Sequence, residues 1–196
     1  MSAVPQSSLD QAFLTARTFT VWQDKPIAPE VLRKIYDIAK FGPTASNLCP
    51  LRIRFIQSPE AKERLKPALA EGNVSKAMSA PVVAILATDE EFYKNWKTLA
   101  PHKDWETVFE SMPASARSVV ALRNSSLQAA YFMIVARMLG LDCGPMSGFD
   151  NAQVDAEFFA GTSIKSNFLC NLGYGDPTKL YPRGPRLDFD QACEVL

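Results

Sequence analysis

Between about residues 114 and 139 the chain offers one long helix candidate. Its second half, Ala129-Ala130-Tyr131-Phe132-Met133-Ile134-Val135-Ala136, is apolar in every direction. A helix that borders water keeps a polar face, so one without it must be surrounded by protein. In a chain of 196 residues, such a helix sits at the centre of a core or against a second subunit. The apolar run stops at Arg137, far too short to cross a bilayer, and Gly140 ends the helix. The remaining segments must be arranged around that rod.

Those segments read as a mixture of helices and strands. A first helix is expected over residues 9–16. Pro29, a good first helical residue, opens a second, with Val31, Leu32, Ile35, Ile38 and Ala39 at helical spacing. Gly42-Pro43 closes it, the glycine taking a left-handed cap. Leu51, Ile53 and Phe55 then alternate with Arg52 and Arg54, as in a strand with one wet face. Ser58-Pro59 opens a helix running to about residue 70. The run 82–87 is continuously apolar, which suits a strand buried on both faces. Residues 92–113 read as irregular and rich in rings, among them Phe92, Tyr93, Trp96, Trp105 and Phe109. A last strand is expected over 168–172, before a tail that begins Gly173-Tyr174-Gly175-Asp176-Pro177. No repeat and no low-complexity linker divides the chain. The expectation is one α+β domain over residues 1–196, with terminal segments available to wrap a partner.

Composition excludes several functions. Hydrophobic residues make up 47% and charged residues 21%, with 21 basic against 21 acidic side chains, so no charge excess invites nucleic acid or an anionic membrane. Any bound anion must be held by a few placed arginines. Cys49, Cys143, Cys170 and Cys193 lie far apart and out of ligand spacing with His102, the single histidine, which argues for reduced structural thiols and no metal site. The first residues lack the cationic start and apolar core of a signal peptide, and a cytoplasmic location is the expectation. No Gly-x-Gly-x-x-Gly follows a strand and no P-loop is present, so a resident dinucleotide fold is not supported. His102 lies beside Pro101, away from any nucleophile elbow, and a hydrolase built on it is not supported.

Four separated segments together resemble the nitroreductase family of FMN-dependent, NAD(P)H-consuming enzymes. They are Ala16-Arg17-Thr18; Gly42-Pro43-Thr44-Ala45-Ser46-Asn47-Leu48-Cys49-Pro50; Gly140 through Gly144-Pro145-Met146-Ser147-Gly148-Phe149-Asp150; and Gly173-Tyr174-Gly175-Asp176 with Pro182-Arg183-Gly184-Pro185-Arg186. The resemblance is nearer to the branch described as malonic semialdehyde reductases of pyrimidine breakdown. Arg123-Asn124-Ser125-Ser126-x-Gln128-Ala129-Ala130-Tyr131 and the 144–150 stretch carry that nearer likeness.

The resemblance implies a three-layer sandwich with a central, mainly antiparallel sheet. It implies an intertwined homodimer with an FMN site at each interface, and a segment of about 174–196 wrapping the partner subunit. It places FMN against Arg17, Thr18, Phe19, Pro43, Thr44, Ala45, Asn47, Asn73, Pro145, Met146, Ser147, Gly148, Arg183 and Arg186. NADH or NADPH is then a visiting co-substrate, and no side chain is a catalytic nucleophile because the cofactor carries the chemistry. The implied reaction is ping-pong reduction of malonic semialdehyde to 3-hydroxypropionate. The alternatives are a general nitro, quinone or enone reductase, or a flavin binder without turnover.

The residue types suit these roles without being specific to them. Arginine matches phosphate with a permanent charge and a forked donor, yet each arginine taken singly could be a solvated surface charge. The 43–47 loop and the 144–148 stretch allow close backbone approach, yet both would also suit ordinary turns. Asn73 reads as a flavin contact or a turn asparagine. Trp105 and Phe109 read as a lid over the reacting face or as core filling, and Arg123 as a carboxylate receptor or an interhelical ion pair. Two positions depart from the family: Val21 stands where many members have a second basic residue, and Ser147 where many have glutamate.

Overall fold

The computed structural model describes residues 2–196. Four strands form one antiparallel sheet in the order β1-β2-β4-β3: β1 (Leu51–Ile56), β2 (Val82–Asp89), β3 (Asp142–Met146) and β4 (Ile164–Gly173). Every residue of β2 is buried, and its side chains alternate between two cores as the strand period of two requires. Val82, Ala84 and Leu86 face one core with Cys170 and Leu172 of β4. Val83, Ile85 and Ala87 face the other with Leu169. Each fully buried aliphatic side chain here contributes about 1.5–3 kcal/mol.

Helices cover both faces, giving three layers. On the first face lie α2 (Pro29–Ala39) and the 25-residue α7 (Ala114–Met138). On the second lie α3 (Pro59–Leu65), α4 (Glu71–Ser79) and α8 (Asn151–Phe158). A short α1 (Gln6–Leu9) passes into a π-helical turn at Asp10–Leu14, so the first helix starts earlier and ends sooner than expected. The ring-rich segment is not irregular: it holds α5 (Trp96–Leu99) and α6 (Trp105–Glu110). A final turn, α9 (Phe189–Ala192), lies in the exposed tail.

Several sequence expectations need correction. The helix expected to reach residue 70 tightens into a 3-10 turn at Lys66–Ala68, where Pro67 has no N–H to continue the α ladder. The α4 helix was not anticipated, and β4 is longer than its apolar centre. Gly42 is not left-handed. Its role is contact, because a Cβ there would lie 2.7 Å from the Tyr131 ring of α7. The α7 helix is not surrounded in the single chain either. Phe132 and Ala136 are fully buried, whereas Leu122, Leu127 and Tyr131 are 49%, 47% and 40% exposed. By length and composition α7 could span a membrane, but here it is the core helix laid across the sheet.

Candidate active site

The edge strand β3 organises the first cluster of candidate residues. The N-terminal arm crosses it with a parallel bridge from Thr18 to Cys143, and the Phe19 N–H donates to the Cys143 carbonyl at 3.1 Å. Gly144 makes the crossing possible, since a Cβ there would lie 2.5 Å from the Phe19 carbonyl oxygen. Gly144 and Pro145 therefore belong to a strand, not to a turn, and proline is tolerated because β3 is an edge. Phe19 itself is buried against Trp22, so it shapes the site from behind.

Beside this crossing, Arg17, Thr18, Arg137, Arg183 and Arg186 line a cavity of about 270 Å³. Arg17 donates to the Tyr181 carbonyl and Arg183 donates to the Ala16 carbonyl at 2.8 Å, so arm and tail lock each other in place. Arg186 folds back on the carbonyls of Gly184 and Pro185. Among the described residues, none of these guanidinium groups pairs with a carboxylate. Arg137, from the last turn of α7, was missed in the sequence, where it read only as the end of the apolar run. Its Nε is buried with no hydrogen-bond partner, and its Nη1 donates to the Ala12 carbonyl at 3.3 Å.

From Cys143 the strand runs about 10 Å further at strand rise to its end at Met146, and Ser147 and Gly148 follow it. Asn73, on the first turn of α4, donates through Nδ2 to the Gly148 carbonyl at 3.0 Å. Its Oδ1 accepts from Lys76 Nζ at 3.2 Å. Gly148 has no room for a side chain, because a Cβ would sit 2.5 Å from that same Nδ2. Ser147 is exposed, and among the described residues neither its N–H nor that of Gly148 donates to another group. Lys76, three residues beyond Asn73, brings a basic group beside Gly148 through its bond to Asn73. Next to the arm, burial pushes the Asp142 carboxyl above the usual range, against the opposing influence of the Gly175 N–H and Arg137.

The second cluster lies elsewhere. Pro43, Thr44, Ala45 and Asn47 precede β1, on the opposite edge of the sheet from β3. Three strand spacings of about 4.8 Å separate the edges, so the loop and the cationic cradle are separate clusters in this chain. The loop is conformationally unusual, with Ser46, Asn47 and Cys49 at φ 54°, 55° and 44°. Non-glycine residues adopt such angles at a cost, and they cluster at functional sites. Asn47 donates to the Leu99 carbonyl at 2.8 Å.

The lid candidates divide. Phe109 is buried in a satellite core with Leu48, Phe92, Tyr93 and Ala121, its ring centroid 4.9 Å from Phe92. Trp105 is half-buried with Nε1 unpartnered. Arg123 is exposed, and no ion pair forms between it and any described residue. Cys143 and Cys170 are buried free thiols. Hydrogen bonding to Cys143, then burial, pushes the Cys170 thiol well up, which keeps it inert.

A helix-covered antiparallel sheet carries a four-arginine cradle at one edge, whose charge suits an anionic ligand. Comparison with known proteins gives this architecture its family: residues 15–174 match the nitroreductase family model. A Burkholderia lata protein provisionally named NADH dehydrogenase/NAD(P)H nitroreductase is 54% identical over 195 residues, covering 100% of both chains. The chain belongs to the nitroreductase family. The crystal structure of the Bacillus subtilis nitroreductase ydfN, itself provisionally named, superposes with a TM-score of 0.88 at 22% identity, over 98% of this chain and 100% of that one. A provisionally named nitroreductase from Exiguobacterium sibiricum, solved in complex with FMN, gives 0.84 at 21% identity, over 100% and 99%.

Proposed function

We propose that this protein is an FMN-dependent NAD(P)H oxidoreductase that works as a homodimer. The observation that carries the proposal is the cradle of Arg17, Arg137, Arg183 and Arg186, none of them paired with a carboxylate among the described residues. FMN fits these residues. The arginines would hold the phosphate dianion with charge-assisted bonds, and β3 spans the distance from there to a flat, small-residue platform. On that platform Asn73, Lys76 and the N–H groups of Ser147 and Gly148 would meet the polar edge of the ring. When bound, the flavin would supply the redox chemistry, accepting hydride from a nicotinamide and delivering it to a second substrate. The chain's own task is to bind, orient and exclude water.

The dimer reading rests on two features. The Pro43–Asn47 loop lies across the sheet from β3, so a second chain would be the one to bring it to a β3-edge site. The exposed apolar stripe of α7, the 81% exposed Phe41 and the bare tail residues Leu187 and Phe189 also need a covering surface. In this reading, residues of about 174–196 wrap the partner. For the acceptor we propose a small acidic aldehyde, malonic semialdehyde, on the strength of the sequence likeness of the 123–131 and 144–150 segments. A general nitro, quinone or enone acceptor is favoured instead by the nitroreductase name of the 54% identical relative.

Purified protein should be a dimer by sedimentation and show the absorption bands of flavin. NADH or NADPH should bleach it anaerobically. Colourless protein that gains nothing from added FMN overturns the cofactor reading. Reoxidation of the bleached form by malonic semialdehyde, compared with nitrofurazone and menadione, decides the acceptor.

A further inference from the structure

The Arg123–Tyr131 stretch set this sequence apart, yet none of its side chains lies in the arginine cradle or on the Gly148 platform. Two of them act on the other half of the proposed site. Asn124 and Gln128 are one turn apart on α7 and both are buried. Asn124 Oδ1 accepts the Ala45 N–H at 2.7 Å, while its Nδ2 donates to the Val120 carbonyl at 2.8 Å. Both ends of this amide are used, so it cannot flip without setting donor against donor. Gln128 Oε1 accepts the Leu51 N–H at 3.0 Å. The two amides therefore grip the entry and exit of the segment that contains the three left-handed residues Ser46, Asn47 and Cys49. A chain reversing through such angles loses its regular backbone partners, and a neighbouring helix must supply acceptors for buried N–H groups. The adjacent Ser125 bonds Thr88 of β2 at 2.6 Å, fixing α7 against the sheet at the same level.

We infer that Asn124 and Gln128 are positioning residues for the cofactor: they hold the 45–51 loop in its strained shape, ready to meet a flavin bound mainly by a second copy of the chain. This inference rests on the FMN and dimer reading above. It assigns the two amides no contact with flavin or substrate. Their contribution is to hold the loop before the cofactor arrives, so that binding does not have to order it.

The experiment compares isosteric pairs in the full-length protein. Asn124→Leu and Gln128→Met remove the acceptors at nearly constant volume, while Gln128→Glu keeps the acceptor for Leu51. The apo-protein is titrated with FMN, and amide hydrogen exchange is followed at Ala45 and Leu51. Expected are FMN affinities about tenfold weaker for the first pair, the equivalent of one lost hydrogen bond. Protection at the gripped amide should vanish, and at Leu51 both effects should be restored by Gln128→Glu. In wild-type apo-protein those two amides should already be protected. If they exchange as freely as solvent-exposed amides, the inference fails without any variant, even if the leucine and methionine proteins do not fold. Wild type that binds no FMN would sink the underlying reading. Wild type that binds FMN no better than Asn124→Leu and Gln128→Met would sink the clamp alone.

Discussion

Gly144→Ala tests whether the cationic cradle depends on the arm crossing β3. The added Cβ would lie 2.5 Å from the Phe19 carbonyl oxygen and 3.1 Å from the Trp22 ring, where ordinary contact begins at 3.4 Å. The oxygen belongs to backbone, so the arm must retreat by about 0.9 Å, and the 3.1 Å bond from the Phe19 N–H to Cys143 then passes out of range. Losing that bond costs about 1 kcal/mol, and overpacking adds about 1–3 kcal/mol. In a domain of this size a loss of about 2–4 kcal/mol lowers the melting temperature by roughly 5–15 °C. Arg17 and Thr18 move with the arm. One misaligned charge-assisted bond, about 1.5–3 kcal/mol, weakens FMN binding roughly 10- to 100-fold. Thermal melts with and without FMN, and titration of the apo-protein, read both effects. The control is Gly72→Ala in α4, where no atom lies within 4 Å and the same substitution should stabilise by about 0.5–1 kcal/mol. A Gly144→Ala protein with the melting temperature and FMN affinity of wild type would refute the reasoning.

Two further outcomes follow from the same edge of the sheet. Arg137→Met, and separately Arg183→Ala with Arg186→Ala, should weaken FMN binding by roughly tenfold or more while leaving riboflavin, which lacks the phosphate, unaffected. Equal losses for both ligands would show that the phosphate lies elsewhere. Asp142→Asn keeps an acceptor for the Gly175 N–H, held at 2.8 Å. Because burial raises the Asp142 pKa, the fold favours the protonated carboxyl. The wild type therefore gains stability as pH falls through that raised value and carries the cost of the ionised form above it. The asparagine variant should melt at or above wild type at neutral pH and lose that acid-side gain. A lower melting temperature at neutral pH would contradict this.

Much of the framework was legible in the amino acids. The apolar run of β2, the alternation of β1 and the Pro29 start of α2 report burial on a local period. The three arginines at residues 17, 183 and 186 line one cavity. Arg137 and Lys76 were not legible as site residues, because a cation near a helix end reads first as capping or solvation. Nor was α4, whose short segment around Gly72 shows weak periodicity.

By itself the sequence determined that a long apolar helix must be covered and that a doubly buried strand must lie at the centre, because side-chain period and hydrophobicity are local properties. Tertiary structure decided what is set by partners distant in the chain. Asp142–Met146 is a strand, although it contains a glycine and a proline, because the edge of β4 is there to be paired. Gly144 is required by the Phe19 carbonyl and Gly42 by the Tyr131 ring, and no local pattern encodes either contact. The composition of α7 asks for burial in a core or against a second subunit, and one fold of one chain has only enough surface to bury part of it.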